Sequence, residues 1–543
     1  MSSTLSRRTV LAGAAATATA AAGVAGVADP AAADTISSPS CQAPAPPSVV
    51  VPPSDGRYGD LVRNWNGRFT GSPDYVQVVN TTGQVEQAVQ AAVRARKQLA
   101  VRSGGHCVEG FVTDPSVKAQ IDMSGMNDIS FDPRYNAFSI QPGATLRDVF
   151  KRLYTEWGVT VPGGSCPSVG VGGHFAGGGF GALARRNGIV PDHMYGVEVV
   201  TVTASGKVKT VLATRERDDP NRELFWGYTG GGGGNFGVVT RYLMRSWNAT
   251  GNDPTRLLPA PPKASRTINY IFPWPALPEP AFIQLLTNYM AWYLRNSAPD
   301  SPYTGLSASL IAPHVNTYPF LLMTVVVDPT EPNSADLVAG FKSAVIDPVG
   351  TPVVQEATMP WLMATNKAGF ADTGDAVGRR NKAKGAYLKG LYTPEQLSTT
   401  YRYLTATPAI KAPLAAVMFN PYGGQANALP SDATAVPQRD SVLKVMHTVH
   451  WDGAALDGQM LGWLRDFYRD VYSATGGVPV PNAVTDGSFI NYADVDLADP
   501  TLNTSGVPWS TLYYKDAYPR LQRVKARWDP TDTFRHALSI RLP

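Results

Sequence analysis

Two side chains able to bond covalently to an electrophilic ring sit in two glycine-rich turns of this chain. His106 closes Val101-Arg102-Ser103-Gly104-Gly105-His106. Cys166 lies in Pro162-Gly163-Gly164-Ser165-Cys166-Pro167-Ser168-Val169-Gly170-Val171-Gly172-Gly173-His174. Glycine lets a backbone bend tightly and approach a ligand closely. A solitary histidine in such a turn reads as a satisfied loop residue or a phosphate contact. Here Arg102 adds a cation, and Ser103, Gly104 and Gly105 add backbone donors, a set that suits a pyrophosphate. A structural cysteine packs as a small hydrophobe and needs no glycines around it. The run 170–175 is not a Rossmann fingerprint, because its spacing is loose and no acidic residue follows at the required offset. A third close-approach loop, 230–234 followed by Asn235-Phe236-Gly237-Val238-Val239, reads as a diphosphate or adenosine contact.

The other histidines carry less. His447 and His450, three apart in a strand-like segment, face opposite sides and do not share a metal. His174 and His193 have no carboxylate pattern for general-base work. There is no nucleophile elbow and no zinc-spaced cluster, so no metal is expected.

The turns need elements to hold them. Residues 74–79 read as a strand. Residues 84–97 place Val85, Ala88, Val89, Ala92 and Val93 on one helical face. Residues 99–102 return as a strand that delivers His106, which suggests a crossover unit. Further strands are expected at 120–123 and 137–141, and a helix at 145–157. Residues 197–203 and 208–213 flank Ala204-Ser205-Gly206-Lys207, a hairpin signal. The proline-rich stretch 253–263 marks a boundary. Beyond it, 281–294 and 456–472 are amphipathic helix candidates, and 518–528 is a helix with Pro519 in its first turn.

The 543 residues suggest two or three domains. The 47 basic and 43 acidic residues give only +4, and no basic run stands out, which argues against nucleic acid and membrane partners. Residues 1–33 read as an export signal. Arg7-Arg8 precedes a weakly apolar alanine-rich stretch and Ala31-Ala32-Ala33 fits a cleavage site. The paired arginines fit the twin-arginine route, with an ordinary Sec signal as the alternative. The protein is expected outside the cell or in its envelope. Residues 34–57 read as a mobile leader. Three cysteines do not make a disulfide scaffold; Cys41 and Cys107 are open to pairing, leaving Cys166.

These motifs resemble those of the berberine-bridge-enzyme-like flavoproteins, which have a vanillyl-alcohol-oxidase-type FAD fold, and in particular their bacterial sugar- and antibiotic-tailoring oxidases. The resemblance covers nearly all of the chain after residue 55, through 102–106, 163–174, 230–239, 487–492, 512–514 and 518–540. It implies an α+β fold: a two-part FAD-binding domain, 58–250 completed by 481–543, and an α+β substrate domain, 255–480, with an antiparallel sheet. It implies FAD bonded at its 8α-methyl to His106 and at C6 to Cys166. The implied cradle is Arg102, Ser103, Gly104, Gly105, Cys107, Val169, Gly170, Gly172, Gly173, His174, Gly177, Gly237, Val238 and Asn491. Two bonds fix the ring and leave the pocket open for a bulky sugar or glycosylated small molecule, with O2 as acceptor.

The resemblance also makes Tyr492 the base that takes a substrate hydroxyl proton. A phenol has a pKa near 10, so ionising it at neutral pH costs about 4 kcal/mol, which a nearby donor or cation is expected to offset. Tyr422 is expected as a pocket wall or helper. Phe180 stands where some tailoring relatives carry a tyrosine, and another such position falls near Asn420. The alternatives are oxidative cyclisation, desaturation or oligosaccharide oxidation on the same scaffold, or a secreted binding protein without turnover.

Overall fold

The computed structural model describes residues 46–367, 378–405 and 410–543. The export signal, residues 34–45 of the leader and Cys41 lie outside the described residues. The first sheet contains β1 (Val49–Val51), β2 (Tyr75–Val78), β3 (Gln98–Arg102) and β4 (Val117–Asp122), in the order β1-β2-β4-β3. Val49–Val51 thus pairs as a strand although composition put it in the leader. β4 is parallel to both β2 and β3, so the expected strand–helix–strand crossover spans one strand position. Its helix, Thr82–Arg94, starts earlier than the apolar pattern indicated because the Thr81 side chain accepts from the Gln84 N–H. It ends where Arg96 takes a positive φ of 53°.

The second sheet is antiparallel: β5 (Ile129–Asp132), β6 (Ala137–Ile140), β7 (Met194–Val202), β8 (Val208–Thr214) and β9 (Val238–Met244), in the order β5-β6-β9-β7-β8. The expected β7–β8 hairpin is present, with Gly206 at φ 75° in its turn. Val85, Ala88, Val89 and Ala92 pack between the sheets, against Leu99 and Ile121 on one side and Val200, Val202 and Val238 on the other. At ~1.5–3 kcal/mol for each large apolar side chain, this layer fixes where β3 ends.

The third sheet is antiparallel and seven-stranded. It contains β10 (Ala264–Pro273), β11 (Ser307–Pro313), β12 (Phe320–Val327), β13 (Val353–Pro360), β14 (Arg380–Leu388), β15 (Leu414–Pro421) and β16 (Leu443–Trp451), in the order β13-β10-β12-β11-β15-β16-β14. Strand alternation gives it two different faces. Ile268, Tyr270, Phe272, Leu321, Met323 and Val325 are buried with the helices Glu279–Arg295 and Ser334–Val345. The alternate residues Thr267, Asn269, Ser307, Ser309 and Thr324 line a cavity.

The chain then returns to the second sheet's neighbourhood. Helix Tyr518–Trp528 begins and ends where the sequence signals put it. Arg520 of this helix pairs with Glu223, and the fully buried Lys525 donates to the carbonyls of Asn235 and Phe534 at 2.9 and 2.6 Å. Among the described residues, no helix is long and apolar enough to cross a membrane.

Candidate active site

β3 ends at Arg102, and the chain turns at once through Ser103, Gly104 and Gly105, the last at φ 70°, to present His106. The Cys166 turn runs against it backbone to backbone. A methyl group on Gly104 or on Gly170 would strike the other's amide nitrogen. Ser103 braces the junction: its hydroxyl donates to Pro142 O and accepts from the Gly172 N–H at 3.3 Å. Both turns line one cavity of about 1120 Å3, which also takes in Gly232, Gly233, Gly234, Gly237 and the polar face of the third sheet. His106 Nε2 lies 2.6 Å from Ser168 Oγ, and the Trp65 ring stacks on the imidazole with centroids 5.6 Å apart.

The structure brings most of the expected cradle to this cavity: Arg102, Ser103, Gly104, Gly105, His106, Cys107, Cys166, Val169, Gly170, Gly172, Gly173, His174, Gly237, Val238 and Asn491, together with Tyr492. Three assignments change. Arg102 is on the wall, but its Nη1 donates at 2.9 Å to the fully buried Asp122, its register partner on β4. That charge is paired with Asp122, so Arg102 reaches the wall as half of an ion pair and not as the lone pyrophosphate cation expected of it. Gly177 is off the wall; a Cβ there would overlap the Asn491 side chain, so its role is to admit that amide. Tyr422 is not on the wall. It is fully buried behind Phe180, 6.1 Å between centroids, and Phe180 faces the cavity in its place.

The chemistry of the wall follows from burial. The Cys107 thiol is pushed up to about 11 by desolvation, so it stays protonated and is not a second thiolate. His174 is pushed down to about 4 by desolvation, then by Lys444 and His106. Its Nε2 accepts the Gly164 N–H at 3.0 Å, which ties the helix Val171–Ala176 to the Cys166 turn. Asn491 donates to the His174 carbonyl at 3.0 Å. Tyr492 is half-buried beside Phe489 and Phe180, with centroids 5.1 and 6.4 Å away. Desolvation and then Cys166 raise its phenol well above the ordinary range, and no cation of the described residues offsets them. The helper expected from the phenol's pKa is therefore not supplied by these walls.

Several wall residues were missed in the sequence. His536 stacks on Phe111 at 4.2 Å and lies 3.2 Å from the Gly233 carbonyl. His450 faces the cavity and meets Trp65 edge-on, while His447 points to the opposite face among Phe467, Tyr468 and Tyr472, as the odd spacing predicts. Lys444 lies just behind the wall. Its Nζ is 3.5 Å from the ring centroids of Phe180 and Phe489 and 4.6 Å from those of Tyr387 and Tyr422. No sequence signal marks this cage, since its rings come from four separate segments. Among the described residues, no group of three or more His, Cys, Asp or Glu could hold a metal.

These residues fit a flavin dinucleotide. The glycine walls admit a ligand where side chains would fill the space, and an imidazole and a thiol stand on the same cavity. Fold and site define an FAD-linked oxidoreductase. Residues 73–212 match the FAD binding domain family and residues 488–541 the berberine and berberine-like family. The chain is 50% identical to the aclacinomycin-N/aclacinomycin-A oxidase of Streptomyces galilaeus over 90% of this chain and 89% of that one. It is 31% identical to the hexose oxidase of Chondrus crispus, over 90% and 93%. A glycopeptide hexose oxidase solved with teicoplanin superposes with a TM-score of 0.88 at 48% identity, over 91% of this chain and 99% of that one. The chain belongs to the berberine-bridge-enzyme-like family of FAD-linked oxidases.

Proposed function

We propose that this protein is an exported oxidase that holds FAD covalently at His106 and Cys166 and oxidises an alcohol carbon of a sugar or glycosylated natural product. The observation that carries this reading is the shared cavity of His106, Cys166 and Tyr492. Bound FAD would supply the two-electron acceptor, with dioxygen as the final acceptor and hydrogen peroxide as its product. His106 and Cys166 anchor the ring, Trp65 and Ser168 hold the imidazole, and Tyr492 takes the substrate hydroxyl proton. The substrate lies on the third sheet. Thr267, Asn269, Ser307, Ser309 and Thr324 offer neutral hydroxyls and an amide, while Leu322, Met418 and Met446 offer apolar surface. That mixture suits a sugar joined to a larger apolar body, as in the relatives named for aclacinomycin and glycopeptide substrates. The paired arginines Arg7-Arg8 support export by the twin-arginine route.

The test is a peptide digest of the purified protein analysed by mass spectrometry, with a peroxide assay against free sugars and glycosylated antibiotics. Flavin mass on both the His106 and Cys166 peptides, with peroxide formed on a sugar-bearing substrate, is the expected result. Flavin on neither peptide, or no peroxide with any sugar-bearing compound, overturns the reading.

A further inference from the structure

Six charged side chains form a network beside the cavity, and it touches both loops on which the chemistry depends. Glu109 lies three residues after His106, and Asp494 lies two residues after Tyr492. Lys382 of β14 joins them. Its Nζ donates to Glu109 Oε1 and is 2.7 Å from Asp494 Oδ1. The second oxygen of Asp494 takes Lys384 at 2.6 Å, and Lys384 also reaches Asp496 at 3.0 Å. Arg465 closes the outer end with two bonds to Asp496, at 3.0 and 2.9 Å. Glu109, Lys382, Lys384 and Asp494 are all at most 4% exposed, whereas Arg465 is 36% exposed. Three cations meet three carboxylates, so the network is balanced and has no charge left for a ligand.

Burying such a network is a poor way to stabilise a fold. Desolvation takes most of the Coulombic gain, and well-packed apolar side chains do as well or better. What the arrangement delivers is direction and distance, because charge-assisted hydrogen bonds are short and geometrically selective. Its position makes that geometry matter. β14 is one of the two edge strands, and its alternation sends Lys382 and Lys384 to one side and Gly385 to the other. Gly385 lies against the Tyr492 ring; a Cβ there would sit 3.2 to 3.3 Å from Tyr492 Cδ2 and Cβ. The Gly385 carbonyl is itself fixed by the hydroxyls of Tyr468 and Ser488, at 2.7 and 3.0 Å. On the far side of the same loop, Asn491 is bound to the His174 carbonyl. The chain at Tyr492 is therefore gripped from both flanks, and one grip runs through Lys382 to the His106 loop.

We propose that Lys382 is a positioning residue that sets the placement of Tyr492 relative to the His106 turn through Glu109 and Asp494. This rests on the reading of His106 as flavin anchor and Tyr492 as base.

The holoenzyme variants Glu109→Gln and Lys382→Arg test it, with Arg465→Gln as control and Tyr492→Phe in parallel. Glu109→Gln keeps the shape and leaves Lys382 paired with Asp494. Lys382→Arg keeps every charge paired but replaces a point charge by a longer planar fork. If Glu109→Gln does not fold, Lys382→Arg still gives the reading. Each is expected to lower kcat per bound flavin about tenfold or more, with KM within about twofold and the pH–rate profile displaced. A misplacement of about 1 Å is enough for a loss of that size. Arg465→Gln, at the exposed end, is expected to lower the melting temperature without changing kcat. Wild-type kcat and pH profile in both Glu109→Gln and Lys382→Arg, or an equal kcat loss in Arg465→Gln, overturns the proposal alone, provided Tyr492→Phe is impaired. Normal turnover in Tyr492→Phe removes the base reading and the proposal with it.

Discussion

Gly104 and Gly170 meet backbone to backbone, and neither can carry a methyl group without striking the other's amide nitrogen. The turns holding the imidazole and the thiol are thus one interlocked structure. Gly104→Ala forces them apart. Overpacking of this kind costs about 1–3 kcal/mol, which a fold of ordinary stability survives. The expected result is a folded protein that purifies nearly colourless, with a flavin-to-protein absorbance ratio well below the wild type. A Gly104→Ala protein as yellow as the wild type shows that the contact does not shape the cradle.

The proposed attachment of one ring at both His106 and Cys166 makes each anchor singly dispensable for retention. After acid precipitation, flavin is expected to stay with the protein in both His106→Ala and Cys166→Ala and to be released in the double variant. Turnover in Cys166→Ala is expected to fall by about one order of magnitude or more, as loss of orientation costs. Complete release from either single variant assigns all attachment to the residue that was removed.

Tyr492 sits where burial and Cys166 both oppose its ionisation. As the proposed base it takes the substrate proton only as a phenolate, the form that these surroundings disfavour. Tyr492→Phe keeps the ring against Gly385 and removes only the hydroxyl. The kcat is expected to fall by about two orders of magnitude with flavin loading unchanged, the size of effect a positioned base supplies. Stopped-flow reduction of the bound flavin reads this step directly, and an unchanged reduction rate removes Tyr492 from the chemistry.

What the sequence revealed divides along a physical line. Local signals were legible: the two glycine turns, the β7–β8 hairpin, the helix behind Pro519 and the opposite faces of His447 and His450 each depend on residues within a few positions. Roles set by register or by distant packing were not. Arg102 read as a phosphate cation because its carboxylate partner lies 20 residues away on β4. Tyr422 read as a pocket residue because nothing near it in the chain says that Phe180 takes the wall. Trp65, Lys444 and His536 reach the site from segments with no chemical pattern of their own.

His447 gives the fold an acid limit. Burial, then Lys384, hold it down to about 3, so it stays neutral in the folded protein; its ordinary value is 6.5. Below pH 6.5 the unfolded chain gains a proton that the folded chain refuses, so stability falls as pH falls from 6.5 toward 3 and is unaffected above 6.5. At pH 5 this histidine's share is about 2 kcal/mol, from ~1.4 kcal/mol for each pH unit. His447→Leu, close in volume, is expected to gain about that much at pH 5 relative to its difference from wild type at pH 8. Denaturant melts at the two pH values measure it, and an equal difference at both shows that His447 titrates normally in the fold.

Lys444 sets two effects of opposite sign against each other. Four aromatic faces attract an ammonium, by about 2 kcal/mol or somewhat more in a desolvated cage. Against this, a fully buried ammonium loses its hydration, a penalty of several kcal/mol, and its Nζ has no hydrogen-bond partner among the described residues. The penalty outweighs the attraction, and burial, then the charge of Arg439, hold the amine well below the lysine range. The unfolded chain keeps an ordinary lysine near 10.5, so this group destabilises the fold at neutral pH, and the cost fades as pH rises through 10.5. Lys444→Met, which keeps the length and removes the charge, is expected to stabilise the protein at pH 7 by about 1–4 kcal/mol, as apolar replacement of buried charged groups does. The gain is expected to shrink by pH 10. Thermal melts at both pH values decide it: a lower midpoint for Lys444→Met at pH 7 means that the aromatic cage outweighs desolvation and that the amine is held as a cation.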